Sequence, residues 1–431
     1  MNLLTYLRSA FPSVIFCNLC IATMSIFLAR FIPVGLLGTW FLFLLIFSSL
    51  ETINKLQHDT TFVNFVGRKK VIFSKCLVSI LFISIISTII VLLIFFLFED
   101  KIILYLFEDY NNEGRFLVNS LVLILPLNII YFNYTNFVLI KKKLGFYYLI
   151  QNIFWFTALM STIITVYYLD FGLKGALLSY FIIPQIICLT ICIISIHKNL
   201  RFNLNIEFSD IKKILNYSFQ IYIFGLLTIY FLNSYRFLGS TNITVENFAF
   251  FSLALVISNF ITQPLPSALS TIILSKLSNN KSKNLNAMHA NLSFKISFYL
   301  TVIFCIISYF IVKPLIIFVY GAGFENVFLI YIKVVIAYAL INTSSILATY
   351  FITLGKVKIN ILINIIVCIF ISFLSLILIP TYGLDGIILT LVLSSIILFL
   401  LRTIIFIKIN KIKTETLFLS KNDFAKIKEI F

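Results

Sequence analysis

Charge is what this sequence has least of. Charged residues fill 11% of its 431 positions and only 16 are acidic, whereas a soluble domain is about a quarter charged. A water-facing surface over most of the chain is excluded. Histidine is scarce as well. His58, His197 and His289 fall in polar connections, away from any other cluster of ligands, so no metal site is expected. The seven cysteines lie inside apolar runs. Cys17 and Cys20 have the spacing of a metal-binding pair, but no second pair completes it, and they read as buried thiols. No phosphate-binding loop of the G-x-x-x-x-G-K-S/T type occurs, so no ATPase is expected. No small-residue cleavage pattern follows the first apolar run, and 11–29 is expected to be a retained helix after a short amphipathic lead-in, MNLLTYLRS.

Hydrophobic residues, by contrast, make up 61% of the chain. Uncharged stretches such as Cys76–Phe98, Phe116–Ile140 and Ile214–Tyr235 reach the roughly 20 residues a helix needs to cross a bilayer. The expected fold is an all-α polytopic membrane protein of about twelve transmembrane helices. The spans are placed at 9–30, 35–56, 75–98, 116–140, 144–168, 173–196, 214–235, 246–273, 292–312, 327–352, 359–379 and 386–407.

Most of the 33 basic residues fall in alternate connections, among them Arg68, Lys69 and Lys70, Lys141 to Lys143, Lys198, Arg201, Lys281, Lys295, and the run from Arg402 onward. The other side keeps Arg30, Lys101, Arg115, Lys174, Arg236, Lys313 and Lys333, and collects Glu99, Asp100, Glu108, Asp109 and Glu113. Positive charge favours the cytoplasmic face, which places both termini there. The net charge of +17 is thus mostly a topology signal. No soluble module carries it, so nucleic acid is not an expected partner.

One phrase is written twice. Residues 171–175 read FGLKG and 382–386 read YGLDG, each leading into a long apolar run, with Gly172 and Gly383 close to half the chain length apart. Glycine tolerates positive φ and close backbone approach, so Gly172, Gly175, Gly383 and Gly386 suit a tight outer turn followed by a closely packed helix start. Arg8 and Arg30 bracket the first span as Lys213 and Arg236 bracket the seventh, and Lys/Gly-rich turns precede the fifth and the eleventh. An even number of helices separates the two phrases. The repeat is therefore parallel: two six-helix halves, 1–200 and 201–408, followed by a basic cytoplasmic tail, 409–431.

Four passages, ARFIPVGLLGTW (29–40), VYGAGF (319–324), TLGKVKIN (353–360) and IPTYGLDGIILT (379–390), carry a resemblance to the lipid-linked oligosaccharide flippases of O-antigen and capsule export (Wzx type). These belong to the multidrug/oligosaccharidyl-lipid/polysaccharide exporter superfamily. The resemblance covers nearly the whole chain. It implies two bundles around a central cavity, moving an undecaprenyl-pyrophosphate-linked glycan outward across a bacterial inner membrane. It further implies no catalysis, no cofactor, and the polysaccharide polymerase and chain-length machinery as partners, and it leaves open whether sodium or a proton is coupled to transport. One departure concerns the seventh helix, where many relatives have an acid late in the span and this chain has Asn233 and Ser234.

The resemblance places Arg30 and Arg236 beside the cavity, where planar guanidinium forks suit a pyrophosphate. The alternative is that both snorkel to the headgroups. Lys333 is a further substrate-binding candidate if the tenth helix starts near Asn326, and an interfacial lysine if it starts at Val334. Glu51 and Lys55 stand four apart and are expected to pair on one helix face, a coupling carboxylate being the other reading. Pro126, Pro184, Pro264 and Pro266 fall within spans, and the Gln263–Pro266 stretch is the expected bend or hinge. A drug/cation antiporter would show more embedded carboxylates. A membrane glycosyltransferase or polymerase would display an acid/base pair on a sizeable outer loop, and the longest here runs only from Glu99 to Arg115.

Overall fold

The computed structural model describes residues 3–55, 73–107, 111–141, 144–197, 208–277 and 283–410. His58, Arg68 to Lys70, Glu108, Asp109, Lys142, Lys143, Lys198, Arg201, Lys281 and the tail after Asn410 lie outside them. Every element among the described residues is helical. Lipid offers no partners to backbone amides, so a spanning segment must bond within itself. The helices are α1 (Leu3–Phe31), α2 (Val34–Lys55), α3 (Phe73–Leu97), α4 (Glu99–Leu106), α5 (Asn111–Lys141), α6 (Leu144–Thr162) and α7 (Gly172–Leu177). They continue as α8 (Ile183–His197), α9 (Phe208–Ser240), α10 (Val245–Thr262), α11 (Pro264–Leu277), α12 (Lys283–Tyr320), α13 (Glu325–Thr353) and α14 (Val357–Asn410).

Among the described residues, eleven spans are long and apolar enough to cross a membrane. The difference from the expected twelve is at the end of the chain. The 54 residues of α14 would run about 80 Å as one straight helix, far beyond the ~30 Å hydrocarbon core. Gly383, at φ 52° and ψ −120°, breaks it, and the expected spans 359–379 and 386–407 lie on either side of that break. The eighth span divides at Gln263 into α10 and α11. Conversely, α12 runs through Pro314 to Tyr320 instead of stopping near 312, because an apolar surround leaves the backbone no better partner than the next helical turn.

The chain forms two compact units, neither contiguous in sequence. One comprises Met1–Ala22, Ser234–Ile243 and Phe250–Phe431, and the other Thr23–Asn233 and Thr244–Ala249. They are called here the C-terminal and N-terminal units. The divisions fall within α1, within α9, and on either side of the short stretch Thr244–Ala249 at the start of α10.

In the N-terminal unit, α2 supplies Trp40, Phe43 and Phe47, whose rings meet Phe181 at centroid distances of 6.1, 6.0 and 4.5 Å. Helix association in lipid gains little from apolar transfer and depends on such packing and on interhelical hydrogen bonds. In the C-terminal unit α13 is the central element, packed against α11, α12 and α14, and its Tyr331, Tyr350 and Phe351 are fully buried.

The two glycine phrases adopt related geometry, each within its own unit. Gly172 has φ +51° and opens α7, and Gly383 has φ +52°. Three residues on, a methyl group on Gly175 would lie 2.8 Å from the Thr165 carbonyl oxygen, and one on Gly386 only 2.1 Å from that of Leu378. Only a residue without a side chain fits either place. In the N-terminal unit the turn is flanked by two π-helical segments, Ile163–Tyr168 and Leu178–Ile182, a geometry that is rare and concentrated at functional sites.

Candidate functional site

Each candidate residue is placed within its own unit. Arg30 occupies the last turn of α1 and is exposed. Arg236 is half-buried on α9, in electrostatic contact with the buried Tyr235 and Tyr338. Lys333 lies two turns inside α13, which starts at Glu325, yet its ammonium is exposed and sits 2.6 Å from Asp385 Oδ1. Its charge already has a counter-ion, donated by the second glycine phrase. Pro264 and Pro266 follow the break at Gln263, across which Gln263 donates to the Asn259 carbonyl at 2.9 Å and Ser267 to that of Gln263 at 3.0 Å.

The densest polar chemistry lies inside the N-terminal unit. Lys55 Nζ is 2.7 Å from Glu51 Oε1, one turn back on α2, and only 3.5 Å above the Phe132 ring on α5, a cation–π contact. The Asn128 amide, also on α5, donates to the same Glu51 oxygen at 2.6 Å. Gln185 on α8 donates to Asn128 Oδ1 at 3.0 Å. Beside this row, Asn54 bonds Ser87 at 2.8 Å and Thr88 at 2.9 Å on α3, and Asn133 donates to Ser84 at 3.0 Å. Asn233 on α9 donates to Ser49 at 3.0 Å and Ser48 at 3.3 Å. The position at which relatives were expected to have an acid is therefore an amide that holds α9 to α2, two residues from the acid that α2 itself carries. Each such interhelical bond contributes about 0.6 kcal/mol on average in a membrane.

The C-terminal unit has a different inventory. Arg402, on the second half of α14, is 5% exposed and donates to Ser344 Oγ at 3.1 Å. Asn342 donates to Thr262 Oγ1 at 2.8 Å. Between α12 and α13 lies an apolar groove of about 510 Å³, lined by residues including Phe298, Cys305, Tyr309, Tyr331 and Val335. Among the described residues no three metal-ligating side chains converge.

Neither a protein family nor a curated protein matches the sequence. Solved structures do. The lipid II flippase MurJ in an inward closed conformation superposes with a TM-score of 0.72 at 17% identity, over 99% of this chain and 95% of that one. An inward-facing multidrug-resistance MATE transporter of the MOP superfamily superposes with a TM-score of 0.70 at 13% identity, over 95% of this chain and 99% of that one. The chain has the MOP transporter fold. The same fold extends to a MOP transporter from Pyrococcus furiosus, described as having a binding pocket of reverse polarity, with a TM-score of 0.69 at 13% identity over 94% and 96% of the two chains.

Proposed function

We propose that the chain is a flippase carrying polyprenyl-pyrophosphate-linked oligosaccharide from the cytoplasmic to the outer leaflet of a bacterial inner membrane, by alternating access, for surface polysaccharide assembly. The observation that carries this reading is the likeness, over 99% of the chain, to a flippase named for a lipid substrate. The order of the four sequence passages supports it. In this reading both termini are cytoplasmic, and the polymerase and chain-length machinery take up the delivered glycan. Arg30 and Arg236 hold the pyrophosphate. Lys333, already paired with Asp385, ranks behind them.

Deletion of the gene should leave lipid-linked glycan on the cytoplasmic leaflet, and absence of that build-up overturns the reading. Replacing Arg30 or Arg236 with Ala should lower export at normal protein abundance by on the order of tenfold, since a hydrogen bond to a charged group contributes about 1.5–3 kcal/mol. Lys should rescue only partly, because it keeps the charge and loses the fork. The MATE likeness favours a second reading, a drug/cation antiporter. Deletion would then raise drug sensitivity with no glycan build-up.

A further inference from the structure

The apolar groove between α12 and α13 ends next to buried positive charge. Its lining runs from Tyr309, Phe310 and Tyr331 at one end to Phe298, Thr301 and Thr343 at the other. Val302, Ile306, Phe310 and Ile336 line it and are exposed, and in a chain that spans a membrane such side chains meet hydrocarbon. The groove therefore opens sideways to lipid. At its Phe298 end α14 joins the pair, with the Phe399 ring 5.8 Å from that of Phe294 and 5.6 Å from that of Phe298. One turn after Phe399 stands Arg402, buried, donating to Ser344 on α13, the residue after the lining Thr343. On α12 the neighbouring residues Lys295 and Ser297 are buried as well. Arg402 Nε and Ser297 Oγ have no hydrogen-bond partner among the described residues, and no carboxylate among those residues pairs with Arg402. A buried cation without an anion is costly, and buried donors without acceptors call for an explanation.

We propose that this groove and its cationic end form a binding site for an anionic phospholipid of the surrounding bilayer, with an acyl chain along the groove and the phosphate at Arg402. The groove alone would accept any hydrocarbon chain, and the cation alone any oxyanion. A phospholipid carries both on one molecule. The arrangement also suits the bilayer, because Arg402 lies about two turns before the end of α14 at Asn410, on the headgroup side of the groove. Basic pockets between transmembrane helices hold lipid headgroups, and a guanidinium fork matches phosphate oxygens better than an ammonium does. Ser297 supplies a neutral donor, and Lys295 a second positive charge on the α12 side. All of these residues belong to the C-terminal unit.

The test needs no cargo, so its outcome is independent of what the chain transports. The purified full chain, stripped of lipid in detergent, is titrated separately with phosphatidylglycerol, with diacylglycerol of the same chains and with glycerol phosphate. Native mass spectrometry counts bound molecules while the thermal midpoint is followed. Phosphatidylglycerol should be retained and should raise the midpoint, whereas diacylglycerol, without the phosphate, and glycerol phosphate, without the chains, should do neither at the same concentration. Arg402→Met should weaken phosphatidylglycerol binding by about tenfold or more, as expected for loss of a hydrogen bond to a charged group. Arg402→Lys should lose less. Ala339→Trp fills the groove away from the cation and should weaken binding as much, which keeps the test decisive where an Arg402 variant folds poorly. Retention of phosphatidylglycerol at the parent's affinity in Arg402→Met or in Ala339→Trp overturns the proposal. So does glycerol phosphate binding as well as the lipid, which would mark a free-anion site, or diacylglycerol binding as well, which would mark an apolar groove only. Polyprenyl phosphate that displaces phosphatidylglycerol at lower concentration overturns it too, since the groove would then hold cargo.

Discussion

The N-terminal unit holds a half-buried carboxylate against an ammonium and an amide, whereas the C-terminal unit holds a buried guanidinium against a hydroxyl. Arg402 Nε has no hydrogen-bond partner among the described residues. The difference lies in what each charge would leave behind if removed. Taking away Glu51 strands Lys55, an ion without its counter-ion in a low-dielectric place. Taking away Arg402 strands only Ser344, a hydroxyl that already has a backbone acceptor at Ile341, 3.0 Å away. The first unit's charge is half of an ion pair, and the second unit's is a cation held by a neutral hydroxyl.

Glu51→Leu tests the first half of this contrast. Breaking a buried pair costs about 3–5 kcal/mol. Both side chains here are about a fifth exposed, so roughly 2–3 kcal/mol is expected after solvent screening, read as a lowered unfolding midpoint. Glu51→Leu/Lys55→Leu should recover most of it. The glycine phrases give the next largest effect, with the order of the units reversed. Gly386→Ala must displace the Leu378 backbone, from which its methyl group would lie 2.1 Å, and roughly 2–3 kcal/mol is expected. Gly175→Ala, at 2.8 Å from Thr165, should cost about 1 kcal/mol. Equal losses would mean that the two helix starts are not equally rigid.

Arg402→Met should leave the midpoint within about 1 kcal/mol of the parent or raise it, as when a buried ion is replaced by an apolar side chain of similar volume. A loss as large as that of Glu51→Leu would show that the guanidinium has an ionic partner, and the contrast between the units would fail. Lys333→Ala is the smallest change. Its pair with Asp385 is more than half exposed, and a shift below about 1 kcal/mol is expected.

The spans were legible because hydropathy alone decides what enters a bilayer, and the glycine phrases because no other residue fits a positive φ so cheaply. The Glu51–Lys55 pair followed from spacing on one helix. The rest of its site did not. Asn128 and Gln185 are single amides within apolar runs on α5 and α8, and nothing in either run shows that they meet. Arg402 and Lys295 were read as cytoplasmic topology markers, yet both are buried, because α12 and α14 continue as packed helices past the point where hydropathy falls. Asp385 was seen only as part of a turn. Its role as counter-ion to Lys333 depends on contact between α13 and α14, which no local pattern reveals.

The π-helical segments on either side of Gly172 bear on how this chain should be compared with proteins of the same fold. Each such turn accommodates roughly one residue more than an α-turn, so the face on which later residues fall is rotated by about 100°. A protein of the same fold with an unbroken α-helix at either segment would differ there by a one-residue deletion inside the helix rather than in a loop. Alignments that confine gaps to connections would then pair Gln185, beyond the second segment, with neighbours facing another way, and would understate the likeness of this stretch.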